Sequence, residues 1–315
     1  QGVDLRRADL RGAALRAADA PVGAAASWGD PLPDRVVRAI CLARLTNFVE
    51  GHAAVSPEIA AGVAAMLAGG AMPAVPAMGQ GGAGEILSLS HLFMDLVERV
   101  EPEEKDVMCL VNGSPSATAL ATDAALAASA RLAVAAEVLA LSFEGFNAPL
   151  GHLDPALEGY WNNRHDAWAL ATLRGLVDGG HGGDRRSYQA PVSFRILPRM
   201  LGQARRAEVM AAEVAGESLQ AVTDNPVWVP GAGGDDTLGQ FVSTGGYHNP
   251  HAVLAMDSLT AAYANLCVIA ERHGAKLLDG NVSLLPDQLL GDDMDGVSRG
   301  YMGCLPMAQT GYEEE

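Results

Sequence analysis

The chain has 315 residues, with 21 Lys and Arg against 38 Asp and Glu, for a formal net charge of −17. That balance makes duplex DNA, RNA and anionic membrane surfaces poor partners, because each is held through a cationic footprint. Apolar residues reach 49% while aromatics are only 5%, so Ala, Leu and Val must fill the core, which suits closely packed helices.

Residues 4 to 19 carry a five-residue period (Asp4-Leu5, Asp9-Leu10, Ala14-Leu15). Three such coils are too few for a solenoid, so residues 1–30 read as an irregular or helical N-terminal arm. From Pro31 to Glu315 the pattern is one helical domain. Pro33-Asp34 opens an amphipathic run to about Val49, and Ser56-Pro57-Glu58 is an N-cap with proline at the first helical position. Gly69-Gly70 ends that second helix. Met72 to Gly84 is a Pro/Gly-rich loop, too broken for a helix or a central strand. Helices follow over Leu87–Val100, Pro115–Phe143, 163–177, 195–222 and 249–278, with a Gly/Asp loop from Gly231 to Gly239. The reading is an all-α fold, an elongated bundle of long helices.

Cys41, Cys109, Cys267 and Cys304 are widely separated, which predicts reduced thiols and a cytoplasmic protein. No apolar run reaches the roughly 18 residues of a membrane span, and the first residues lack a signal-peptide core. Gly79 to Gly84 satisfies GxGxxG, but Pro73 and Pro76 before it rule out the strand that motif requires. His248 and His251 lack the further ligands of a metal site. Neither a metal nor a cofactor is expected.

Asn112-Gly113-Ser114 and Thr223-Asp224-Asn225-Pro226 are polar clusters at helix ends. Such residues cap helices and form Asx-turns as readily as they bind substrates. Arg195, at a helix start after Gln189-Ala190-Pro191-Val192-Ser193, suits either a bidentate substrate carboxylate or an ion pair within the protein.

Taken in order, these segments resemble the aromatic amino acid lyase family of histidine, phenylalanine and tyrosine ammonia-lyases and aminomutases. Val111 to Ser114 resembles its LINGT segment and Gln189 to Gly202 its QDxYSLRCxPQxxG segment. Thr223 to Pro226 matches TDNP, and Ser243 to Asp257 resembles SGGNFHGxPxAxAxD. The resemblance implies a fumarase-aspartase-like fold of long helices assembled as a homotetramer or other homo-oligomer, with active sites built from several subunits. It also implies an electrophile, 4-methylidene-imidazol-5-one, made from Ala-Ser-Gly. Here that tripeptide is Gly82-Ala83-Gly84, and Ala83 has no hydroxyl to lose. Val192 replaces a family tyrosine, and the YGxxTG loop with its catalytic tyrosine has no counterpart before Tyr160, the first tyrosine. Measured against the family, the chain looks short at both ends.

Binding positions persist. By resemblance, Arg195 holds the substrate carboxylate, and Asn112, Gln189 and Asn225 join it in substrate binding. His248, Tyr247, Glu85 and His91 are the candidate proton carriers. The expectation is an enzyme independent of the prosthetic group, acting by acid–base chemistry (elimination, isomerisation or cyclisation) on a carboxylate-bearing, aromatic-type small molecule, in biosynthesis. The alternative is a binding or scaffold homologue in a hetero-oligomer with a related lyase-like subunit. An ammonia-lyase inactivated by a Ser→Ala change would explain Ala83 but not Val192.

Overall fold

The computed structural model describes residues 27–79, 84–103, 105–180, 184–232, 238–291, 307–308 and 310–311. The five-residue period of the N-terminal arm, Gly82, Ala83 and Cys304 lie outside the described residues. Two compact units divide the chain: Gln1–Ala124 with Ala211–Leu254, and Ala125–Met210 with Ala255–Glu315.

In the first unit, β1 (Trp28–Pro31) pairs antiparallel with β2 (Pro76–Met78), so the Pro/Gly-rich loop contains a short ribbon. Its prolines sit where no further strand needs their missing donors. Helix α1 (Asp34–Val49) buries Val36, Val37, Ile40, Cys41 and Phe48, the three- and four-residue spacing of one helix face. Helix α2 (Pro57–Ala68) starts as its sequence predicts: Ser56 Oγ accepts the Ile59 N–H at 3.3 Å, ahead of Pro57 at the first position. Helix α3 (Ile86–Arg99) buries Leu89, Leu92, Phe93 and Leu96. Together with Ile59, Val63 and Leu110 these form one apolar core.

Helix α4 (Asp106–Val111) escapes sequence reading because six residues show no helical period. It is anchored by the buried Asp106 carboxylate, which accepts Ser56 N–H and Ser56 Oγ–H, both at 2.7 Å, and Glu103 N–H at 2.8 Å. Helix α5 (Pro115–Gly145) follows the turn Asn112–Ser114. Gly113 makes that turn possible. Its φ is +101°, and a Cβ there would collide with the Thr223 carbonyl and Arg44. Strands β3 (Val227–Val229) and β4 (Gln240–Val242) form a hairpin around the Gly/Asp loop. Three-residue strands are too short to show alternation.

In the second unit, short 3₁₀ turns and α6 (Ala156–Trp161) lead to α7 (Arg164–Val177), capped by Asn163 Oδ1, which accepts the His165 and Asp166 N–H groups at 2.9 and 3.3 Å. Helix α8 (Val192–Gln220) starts three residues earlier than expected, because the Pro191 carbonyl accepts the Phe194 N–H at 3.0 Å and extends its first turn. Gly202 on α8 lies against Asp166 so closely that a Cβ would clash with its carboxylate and crowd its backbone. Helix α9 (Pro250–Leu278) closes the long helices. Phe146, Phe194 and His273 stack in this core, with ring centroids 4.3 and 3.7 Å apart.

Asp106–Gly145 and Pro250–Leu278 each contain an 18-residue window apolar enough, by length and composition, to cross a membrane, but neither is an unbroken apolar run: the first is broken by the Asn112–Ser114 turn and the second carries Asp257. Cys41, Cys109 and Cys267 are free thiols among the described residues.

Candidate functional site

In the first unit the predicted motif residues meet around the N-terminus of α5. The buried Glu85 carboxylate accepts the Ala117 N–H at 2.6 Å and the Ser116 N–H, satisfying two of the donors that a helix start leaves unpaired. It also places negative charge at the positive end of the helix dipole. Burial pushes the Glu85 carboxyl above its usual range, opposed by these two backbone bonds and by the Arg44 guanidinium.

Beside the turn, Asn112 Nδ2 donates to the Asn225 carbonyl at 2.6 Å and its Oδ1 accepts the Gly113 N–H at 3.0 Å. Asn225 Oδ1 accepts the Thr244 N–H at 2.8 Å. Thr223 Oγ1 accepts the Ser114 N–H at 3.3 Å. Asp224 is fully buried; its Oδ1 accepts the Asn225 N–H at 2.7 Å and its Oδ2 pairs with Lys105 Nζ at 2.6 Å. The TDNP and NGS segments therefore clasp each other, and much of their polar capacity is spent holding the α5 entry.

Beneath the clasp lies Arg44 of α1, fully buried. One guanidinium nitrogen, Nη2, donates to the Asn112 carbonyl, while Nε and Nη1 meet no partner among the described residues. Burial lowers its pKa, opposed by Asp224, Cys109 and Glu85. Those acids offset the desolvation cost of a buried cation.

Tyr247 is half-buried, and its ring edge lies 4.0 Å from where a Cβ on Gly84 would stand. Gly84 itself has φ +88°. His248 is exposed, and its N–H donates to the Gly245 carbonyl at 3.2 Å in the turn before α9. His91 is half-buried on α3, with Nε2 unpartnered among the described residues. Glu85, Asn112, Asn225 and Tyr247 are thus brought to one region of this unit.

In the second unit, Arg195 stands in the first turn of α8, half-buried, and its Nε is buried without a partner among the described residues. Gln189 is exposed. Before Arg195, the Ala190 N–H donates to His152 Nε2 at 3.2 Å.

A family model described as aromatic amino acid lyase matches residues 20–98 and 95–312. The chain belongs to the aromatic amino acid lyase family. The histidine ammonia-lyase of Symbiobacterium thermophilum is 30% identical over 290 residues, covering 83% of this chain and 56% of that enzyme. The chain thus spans little more than half the length of this curated relative. Among solved structures, a Trypanosoma cruzi histidine ammonia-lyase aligns with a TM-score of 0.80 at 21% identity, over 100% of this chain and 64% of the other. Pantoea agglomerans phenylalanine aminomutase aligns with a TM-score of 0.82 at 19% identity, over 97% and 66%. The fold is the all-α fold of these lyases.

Three residues of this family member's polar clusters escape motif reading: Arg44, Lys105 and His152. Arg44 had a usable signal. It continues the apolar stripe Val37, Ile40, Cys41 at the next helical step, so a cation was due on the buried face of α1. Lys105 and His152 acquire their partners from segments 119 and 38 positions away, which no local pattern encodes.

Proposed function

We propose that this lyase-family protein is an enzyme that binds a carboxylate-bearing small molecule through Arg195 and works without the family's prosthetic group. One observation carries the reading: Arg195 keeps a buried guanidinium nitrogen without a partner among the described residues. A buried N–H left unpaired costs stability unless a ligand satisfies it, and a planar guanidinium matches a carboxylate fork.

The residues present do not fit 4-methylidene-imidazol-5-one. Position 83 is alanine, so no hydroxyl can leave to create the exocyclic methylene. The Ser88 hydroxyl, beyond the loop on α3, donates to the Glu85 carbonyl at 3.1 Å and lies 3.3 Å from Ser116 Oγ. It is committed to the structure. Chemistry left to the chain is therefore acid–base and electrostatic.

Tyr247, His248 and His91 are the groups proposed to move protons. Glu85, with its carboxyl pushed up by burial, is proposed to hold charge at the α5 entry. Asn112, Asn225 and Gln189 are proposed to line the substrate. Elimination of a leaving group better than ammonia, isomerisation or ring closure all lie within such means. Histidine ammonia-lyase similarity supports an imidazole- or benzene-ring carboxylate as the ligand class.

The protein is further proposed to act in the cytoplasm as a homo-oligomer. Leu126, Val134, Val138 and Leu141 form an exposed apolar face along α5, and burying each Leu or Val is worth about 1.5–3 kcal/mol. A second copy that covers this face would satisfy it.

Arg195→Ala should weaken binding of urocanate or cinnamate more than about tenfold, measured by calorimetry. Unchanged affinity would refute the carboxylate clamp.

A further inference from the structure

The segment that delivers Arg195 is tied to a histidine that no motif marks. His152 sits in the 3₁₀ turn Leu150–Leu153, half-buried. The Ala190 N–H donates to its Nε2 at 3.2 Å. A backbone N–H can only donate, so Nε2 must carry the lone pair. The ring is then neutral with its proton on Nδ1. Burial and the nearby Arg195 charge hold its pKa below the ordinary histidine value, in keeping with that neutral state. Ala190 lies immediately before α8, and the Pro191 carbonyl accepts the Arg195 N–H at 3.4 Å, so His152 and Arg195 flank the same helix start.

We infer that His152 is the second donor of the anion pocket that Arg195 begins, with its Nε2 fixed on Ala190 and its Nδ1–H offered to the ligand carboxylate. The inference rests on the carboxylate clamp and adds to it a residue outside the family motifs. Two tasks fall on one ring. The bond from Ala190 sets tautomer and orientation, as partners of functional imidazoles generally do, and the other N–H adds a directional donor beside a delocalised cation. A neutral donor is useful here, because a second full charge beside Arg195 would raise the desolvation cost of the pocket.

The two nitrogens can be separated. His152→Gln keeps an acceptor near the Nε2 position and loses the donor at Nδ1. His152→Asn keeps a donor near Nδ1 and loses the tether to Ala190. Cinnamate binding, measured by calorimetry at pH 8 on the full chain, should weaken about tenfold in His152→Gln and stay within about threefold of wild type in His152→Asn. Wild-type affinity in His152→Gln overturns the inference. An equal loss in both variants also overturns it, leaving His152 as a tether alone. Arg195→Ala reads the clamp separately: full affinity there refutes the clamp and with it the pocket that His152 completes, whereas lost affinity there with wild-type affinity in His152→Gln refutes the His152 donor alone. Absence of cinnamate binding by wild type overturns both readings. Nitrogen-15 spectra of the wild-type ring should show the Nδ1–H tautomer, and an Nε2–H tautomer would overturn the proposed orientation without any ligand.

Discussion

Acidification should destabilise this protein through the buried imidazole of His273. The imidazole is 1% exposed, stacked face to face on Phe194 at 3.7 Å, with Nδ1 2.7 Å from Ser142 Oγ. Burial pushes its pKa down from 6.5 to about 4. The unfolded ring binds a proton near pH 6.5, whereas the folded ring resists until about pH 4. Stability is therefore complete above about pH 6.5 and falls as pH drops toward 4, below which the loss is constant. The full difference is about 3 kcal/mol at roughly 1.4 kcal/mol per pH unit, and about 2 kcal/mol of it appears between pH 7.5 and 5.0. His152 and His165 are also held below the usual value, each mainly by burial, which adds to the loss, whereas Glu85 and Asp166, pushed up by burial, oppose it. His273→Gln isolates one contribution. Urea denaturation at pH 7.5 and 5.0 should show about 2 kcal/mol less pH sensitivity in the variant than in wild type. Equal sensitivity in both proteins would refute the account of a buried neutral imidazole.

Two further perturbations test the clasp at the α5 entry. Lys105→Met leaves Asp224 buried without its 2.6 Å partner and should cost about 3–5 kcal/mol; adding Asp224→Asn should recover part of that loss in a double-mutant cycle, and strict additivity would argue against the pairing. Glu85→Ala removes the acceptor for the Ser116 and Ala117 N–H groups and should cost about 1–2 kcal/mol, seen as a lowered urea midpoint with the m-value unchanged.

Legibility from sequence tracked the range of the interaction concerned. Helix α2 could be read residue by residue because its Ser56 cap and Pro57 start act within one turn. The short pieces α4 and β3–β4 could not, since six- and three-residue elements are held by contacts such as Ser56 with Asp106 rather than by their own periodicity. The motif residues were legible as positions but not as roles. By resemblance Asn112 and Asn225 read as substrate-binding groups; in the fold Asn112 also holds the Asn225 carbonyl and the Gly113 N–H, and Asn225 Oδ1 accepts the Thr244 N–H. Glu85 read as a proton carrier and is found capping a helix that starts 30 positions later.

Sequence alone determined the family, the order of long helices and the alanine at position 83, because each follows from residue identity, local period or motif spacing. Tertiary structure decided which charges are spent and which remain available. Asp224 is spent on Lys105 and on offsetting the buried Arg44, whereas Arg195, like Arg44, keeps a buried nitrogen unpaired among the described residues. That distinction depends on desolvation and on partners brought together across the fold, and neither is encoded in any short stretch of chain.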